Sequence, residues 1–238
     1  INGNVYAGEG EYLLTEADES DGSLLYYDPE IVAVTNLELE HQDFYGSEEK
    51  LLQTFAEFFR KVPQEGRIIL NAEDEKLMNL VDGSDPRVLT YGIEKGDIQA
   101  ADIKLYPFGS IYTMKIEGQK IGSINLKVPG RHNILNSLAA IAIAMETGMK
   151  QEEIKKGIEN YTGVKRRFEK KGLLGDILVI DDYAHHPTEI EATLKAARNT
   201  GYERIIAVFQ PHRYTRTRDF MQDFINCFND IDHLIIME

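Results

Sequence analysis

The sequence predicts an α/β protein in two parts, a mixed sheet with an antiparallel extension followed by a doubly wound parallel sheet. Three observations predict it. Apolar runs of strand length alternate with amphipathic helical stretches near both ends of the chain. Residues 87–128 lose the helical period and show strand-like runs separated by Gly-containing turns. In the last third, three apolar strands are spaced by two helices, the order in which parallel sheets are wound. With 238 residues and 42% hydrophobic side chains, the chain can fill two modest cores.

In order, the first part is expected to hold a strand over residues 12–15, another over 31–35, an amphipathic helix over 48–61 and a strand over 67–70. Strands over 87–91, 98–106, 111–116 and 120–127 make the antiparallel extension. Val128-Pro129-Gly130 interrupts this pattern and sets the expected domain boundary, giving parts of 1–127 and 128–238. A helix over about 134–147 carries an Ala-rich face suited to close packing, and a second covers 151–160. Strands over 177–180, 205–209 and 233–236 then alternate with helices over 188–198 and 217–228. Ligands of such sheets bind beyond the carboxyl ends of the strands, so the loops after Ile180 and Phe209 are where chemistry is expected.

A net charge of -14 repels nucleic-acid backbones and anionic membranes, so an anionic ligand has to be captured by local basic clusters. Cys227 is the single cysteine and sits in an apolar helical stretch. That excludes an intramolecular disulfide, predicts a buried thiol and fits a reducing cytoplasm. No apolar stretch is long enough to span a bilayer, and no basic-then-hydrophobic leader opens the sequence.

Several clusters have the composition of ligand sites. The run from Glu16 to Asp21 places four carboxylates in six residues, which is either a solvated acidic loop or, through Glu16, a divalent-cation ligand. His41, in the loop after the second strand, has three open readings: metal ligand, base or loop histidine. His132, Asn133 and Asn136 sit at a helix N-terminus, where one asparagine is expected as a cap and the amides also suit a purine edge. Lys165-Arg166-Arg167 is either a phosphate-binding cluster or a solvated turn. Asp182, Tyr183, His185 and His186 offer a carboxylate for a ribose hydroxyl, an aromatic face and two imidazoles ahead of a Pro-started helix. His212, Arg213 and Arg216 form a companion cluster at the next strand end, suited to a carboxylate and to charge developing on an acyl phosphate.

Taken in order, Glu16-Ala17-Asp18-Glu19-Ser20-Asp21-Gly22-Ser23, Val34-Thr35-Asn36, Tyr45-Gly46-Ser47, Pro129-Gly130-Arg131-His132-Asn133, Arg167-Phe168-Glu169, the stretch from Asp182 to Glu189, and His212-Arg213-Tyr214-Thr215-Arg216-Thr217 resemble the motifs of the Mur ligase family. The resemblance is to the branch that adds L-alanine to UDP-N-acetylmuramate in peptidoglycan-precursor synthesis. It implies a central ATPase domain followed by a Rossmann-like C-terminal domain, with ATP and Mg²⁺ held between them. By the same resemblance, Glu16 and His41 ligate magnesium, and His132, Asn133 and Asn136 contact the adenine region. Asp182 and Tyr183 hold ribose and base, and Arg166 or Arg167 reaches phosphate. His185, His186, His212, Arg213 and Arg216 take the alanine carboxylate and the reacting phosphoryl group. The family's glycine-rich phosphate loop belongs upstream of Glu16, and further segments are implied at both ends, so this portion alone is expected to be inactive. Two other readings remain: the relative that reattaches a recovered murein tripeptide to the same sugar nucleotide, and a non-catalytic nucleotide-binding module.

Overall fold

A computed structural model describes residues 7–38 and 42–238. Its largest element is a six-stranded sheet in the order β1 (Ile31–Val34), β2 (Arg67–Asn71), β3 (Val88–Gly92), β4 (Ile98–Tyr106), β5 (Gly109–Ile116) and β6 (Gln119–Leu126). The first four strands run parallel and the last three antiparallel, so the sheet is mixed as the sequence predicts, but β3, expected in the antiparallel extension, pairs in parallel with both β2 and β4. The run Ile68-Ile69-Leu70 shows why β2 lies at depth. Ile68 and Leu70 face one core and Ile69 the other, so an uninterrupted apolar strand is buried on both faces.

Helices cover both faces. On one lies α2 (Glu48–Arg60), following the short α1 (Gln42–Tyr45) and preceding the one-turn α3 (Glu75–Met78). The Ser47 side chain caps α2 by accepting from the Lys50 amide at 3.3 Å, and Leu51, Phe55, Phe58 and Phe59 recur on its buried side. On the other face lies α4 (Arg131–Glu146), whose buried Leu138, Ala139, Ile141 and Ala142 let it sit close to the sheet, with α5 (Gln151–Asn160) beside it. Both helices lie beyond the boundary expected at 127/128, yet Ile134, Leu138 and Ile154 share one core with Ile69, Tyr91 and Tyr112.

The last third differs from expectation in two respects. The strands β9 (Ile206–Phe209) and β10 (His233–Ile236) pair in parallel, but β8 (Ile177–Asp181) pairs antiparallel with β7 (Glu169–Leu174) rather than joining them. β7 is largely polar, which hides it from a periodicity argument. Between these strands lie α6 (Pro187–Arg198), α7 (Tyr214–Asp219) and α8 (Met221–Cys227). The last two replace the single helix expected over 217–228, because Phe220 leaves helical geometry at φ −108°, ψ 23°. A small core of Ile190, Leu194, Phe224 and Cys227 holds this part together. Burial pushes the Cys227 thiol up to about 11, which keeps it neutral.

The strand expected over residues 12–15 is absent. Leu13 and Leu14 are 92% and 83% exposed, and among the described residues no chain runs beside them to complete a ladder. Among the described residues no helix is long and apolar enough to cross a membrane.

Candidate functional site

The loop between β8 and α6 is organised by its carboxylate. Asp182 accepts the backbone amides of Phe168 and Ala184, each at 2.7 Å, and the Tyr183 amide donates to the Arg166 carbonyl at 2.7 Å. These bonds stitch the loop to the turn before β7, where Arg166 and Phe168 adopt left-handed backbone at φ 59° and 48°. A side chain there costs about 1–2 kcal/mol per residue, so the turn needs such ties. The guanidinium groups of Arg166 and Arg167 consequently lie 4.3 and 5.9 Å from the centre of the Tyr183 ring. Tyr183 also meets the His185 ring edge-on at 5.0 Å. An exposed aromatic face ringed by cations suits a planar, anionic ligand.

Glu189, at the third position of α6, supports this loop from below. One carboxylate oxygen accepts the His185 and His186 amides at 2.9 and 3.3 Å, and the other meets Arg167 at 3.3 Å. Burial works to raise the Glu189 pKa, but the His185 amide, the His185 charge, the His186 amide and the Arg167 charge together hold it below the ordinary value. The sequence signal for this role is the capping-box position three residues after His186. His185 Nδ1 lies 2.8 Å from the Tyr183 carbonyl. A carbonyl only accepts, so Nδ1 carries a proton.

His186 faces the other part of the chain. It is 8% exposed, caps α6 and packs its ring at 4.9 Å against Phe220. Its Nδ1 is 3.1 Å from Glu38 Oε2, and the Thr188 hydroxyl donates to the same oxygen at 2.9 Å. Glu38 belongs to the loop after β1, so these bonds join the two parts beside a cavity of about 490 Å³ lined also by Lys76, Asp223 and Cys227. Sequence reasoning assigned a role to neither: Glu38 is one acid among many in an acidic chain, and only capping-box spacing marks Glu189.

The N-terminus of α4 approaches the same loop. Gly130 caps the helix at φ 95°, and a Cβ there would meet the His132 ring at 2.5 Å, so only glycine lets that ring fold back. No asparagine serves as the cap. The helix starts three residues earlier than expected, and Asn133 donates its side-chain amide to the Pro129 carbonyl at 2.7 Å. Asn136 is exposed one turn further on. His132 keeps surface exposure, yet crowding around its ring lowers its pKa, a shift that Asp182 opposes and Arg167 adds to. His132 thus lies within electrostatic reach of the Asp182 loop.

The companion cluster follows β9. His212 and Arg213 are exposed, and Arg213 occupies the cap of α7 at φ 64°. Arg216 is 8% exposed and its Nη1 reaches the His212 carbonyl at 3.5 Å. At the acidic run, Asp18 and Asp21 accept the amides of Ser20 and Ser23 at 2.8 and 2.9 Å, and the Tyr45 hydroxyl donates to the Glu19 carbonyl. Glu16 is exposed, and His41 lies outside the described residues. Among the described residues no three His, Cys, Asp or Glu side chains gather as a metal cage.

Comparison with known proteins agrees in order and extent with this arrangement. Residues 4–144 match the Mur ligase middle domain, and residues 166–238 match the Mur ligase, glutamate ligase domain. A UDP-N-acetylmuramate--L-alanine ligase of Geotalea daltonii is 42% identical over 239 aligned residues, covering 100% of this chain and 52% of that protein. The crystal structure of the UDP-N-acetylmuramate-alanine ligase MurC from Thermotoga maritima superposes with a TM-score of 0.76 at 29% identity, covering 92% of this chain and 48% of the other. A murein peptide ligase from Psychrobacter arcticus gives 0.62 at 26% identity, over 94% of this chain and 52% of that one. The chain spans about half the length of the curated relatives it matches. With the middle-domain match alone covering residues 4–144 of 238, the chain belongs to the Mur ligase family.

Proposed function

We propose that this chain is the ATP- and amino-acid-handling portion of a cytoplasmic ligase that joins L-alanine to UDP-N-acetylmuramate. The observation that carries this reading is the 42% identity to a UDP-N-acetylmuramate--L-alanine ligase over the whole length of the chain. In the proposed reaction the sugar's carboxylate takes the γ-phosphoryl group of ATP and ADP departs, the alanine amine attacks the acyl phosphate and gives up a proton, and the tetrahedral intermediate collapses to amide and phosphate. Such chemistry rests mainly on positioning and on groups that meet developing negative charge.

In this reading His132, Asn133 and Asn136 face the adenine, Asp182 and Tyr183 take ribose and base, and Arg166 or Arg167 meets phosphate. The cations flanking Tyr183 at 4.3 and 5.9 Å and the electrostatic reach of His132 to Asp182 support it. His212, Arg213 and Arg216 are assigned to the alanine carboxylate and the reacting phosphoryl group, and His185 and His186 to the alanine beside them. Magnesium commonly binds through one or two carboxylates plus phosphate oxygens and water, so an exposed Glu16, with His41, fits an ion delivered with ATP. The ion would neutralise charge on the phosphates. We also place the division between the two parts after α5 rather than at 127/128, because α4 and α5 share the core of the first sheet.

The test is ADP release by the complete ligase with UDP-N-acetylmuramate and Mg²⁺-ATP, comparing L-alanine with the murein tripeptide. Turnover with alanine supports the assignment. Preference for the tripeptide shifts it to the recycling relative, and silence with both leaves a nucleotide-binding module. Within the assignment, Arg213→Ala should raise the alanine KM about 10- to 100-fold, the scale of a lost charged hydrogen bond, and leave the KM for ATP in place. Equal loss toward both substrates would remove Arg213 from the amino-acid site.

A further inference from the structure

We propose that Glu38 is a positioning residue for His186: it fixes the imidazole proton on Nδ1 and thereby presents Nε2 as a lone-pair acceptor for an N–H or O–H donor of the bound substrate. Its consequence for turnover rests on the ligase reading above.

The contact is selective. Glu38 Oε2 lies 3.1 Å from His186 Nδ1 and takes the Thr188 hydroxyl at 2.9 Å. The Thr188 amide also lies near Nδ1, at 3.4 Å, which would favour a lone pair there. The two demands are incompatible, because a neutral ring nitrogen either donates or accepts. A carboxylate facing a lone pair is repelled, whereas a carboxylate facing N–H forms a charge-assisted bond, and its contact is the shorter of the two. The proton therefore belongs on Nδ1.

The ring has no freedom to answer otherwise. Its backbone amide is held by Glu189 at 3.3 Å, its face meets Phe220 at 4.9 Å, and the residue is 8% exposed. With Nδ1 engaged, Nε2 is a buried nitrogen for which the described residues supply no partner. Buried polar atoms in folded proteins are almost always satisfied, so a nitrogen left without a partner among the described residues, at the wall of a cavity, fits a donor carried by the bound substrate. Glu38 comes from the first part of the molecule and His186 from the second, so the acceptor is set only when the β1 loop and α6 are together.

The experiment reads the ring proton directly. In the complete ligase labelled with ¹⁵N-histidine, long-range proton–nitrogen spectra of His186 should report the Nδ1–H tautomer without substrate. Glu38→Ala should move the proton to Nε2, whereas Glu38→Gln, whose amide oxygen still accepts, should keep it on Nδ1. Glu38→Asp, shorter by one methylene, gives the same shift as alanine should the alanine variant not fold. In turnover, Glu38→Ala should lower kcat about 10- to 100-fold, the scale seen when the carboxylate behind a working histidine is lost, with the KM for ATP unmoved and glutamine restoring most of the rate. An unchanged tautomer in both the alanine and aspartate variants overturns the proposal. A wild-type ligase silent with alanine overturns the functional reading instead, and the tautomer result stands apart from it.

Discussion

Asp182→Ala is expected to weaken nucleotide binding more than about 100-fold while both sheets stay folded. The carboxylate accepts two backbone amides, those of Phe168 and Ala184. A hydrogen bond to a charged group contributes about 1.5–3 kcal/mol, and the lower end applies where water reaches part-buried amides, so losing both costs about 3 kcal/mol. That cost falls on a turn already strained at Arg166 and Phe168. Once released, the turn no longer holds the two guanidinium groups against Tyr183, and the cationic aromatic platform disperses. Asp182 also keeps unused lone pairs, since each oxygen is engaged once in the described bonds, and these suit the ribose hydroxyls assigned to it. Calorimetric titration of the complete ligase with a non-hydrolysable ATP analogue measures the loss. Asp182→Asn, which keeps one accepting oxygen, should fall between wild type and alanine. An alanine variant with unaltered affinity would show that the turn is held by other means and would remove Asp182 from the nucleotide site.

Much of this arrangement was legible in the sequence where local pattern and burial coincide. The apolar run of β2, the heptad-like spacing of Leu51, Phe55, Phe58 and Phe59, and the Gly-punctuated strands β4 to β6 each carry their signal within a few residues. The Asp182 loop was legible for the same reason, because its residue types are concentrated at a strand end. What stayed hidden depends on partners distant in sequence. β7 has a polar sequence and exists by pairing with β8, while residues 12–15 have strand-like composition and no neighbour to pair with among the described residues. Glu38 reads as one more acid until its bonds reach His186 and Thr188, far along the chain. The asparagines at α4 lost the cap to Gly130, where a φ of 95° and the close approach of the His132 ring both favour a residue without a Cβ.

Leu138→Ala should destabilise the first sheet by about 2–5 kcal/mol, the range for deleting a buried leucine whose cavity only partly collapses. Leu138 is fully buried in the core that Ile69, Tyr91 and Tyr112 form with α4. That surrounding is rigid on both sides. Tyr112 is tied to Ser137 at 2.7 Å, and the Ser137 hydroxyl in turn donates to the Ile134 carbonyl at 2.6 Å. A sheet and a helix fixed this way cannot close readily on the space, which favours the upper half of the range. Ile206→Ala is the matched control. Ile206 is 53% exposed on β9, and removing its side chain should change stability by less than about 0.5–1 kcal/mol. Urea unfolding followed by circular dichroism separates the two. The effect should also reach the site, because α4 carries Gly130, His132 and Asn133 at its start. A helix loosened at Leu138 holds the His132 ring less firmly toward the Asp182 loop, so ATP affinity should fall in Leu138→Ala and hold in Ile206→Ala. Equal destabilisation by the two substitutions would mean that α4 is not anchored through this core, and the route from packing to nucleotide site would have to run elsewhere.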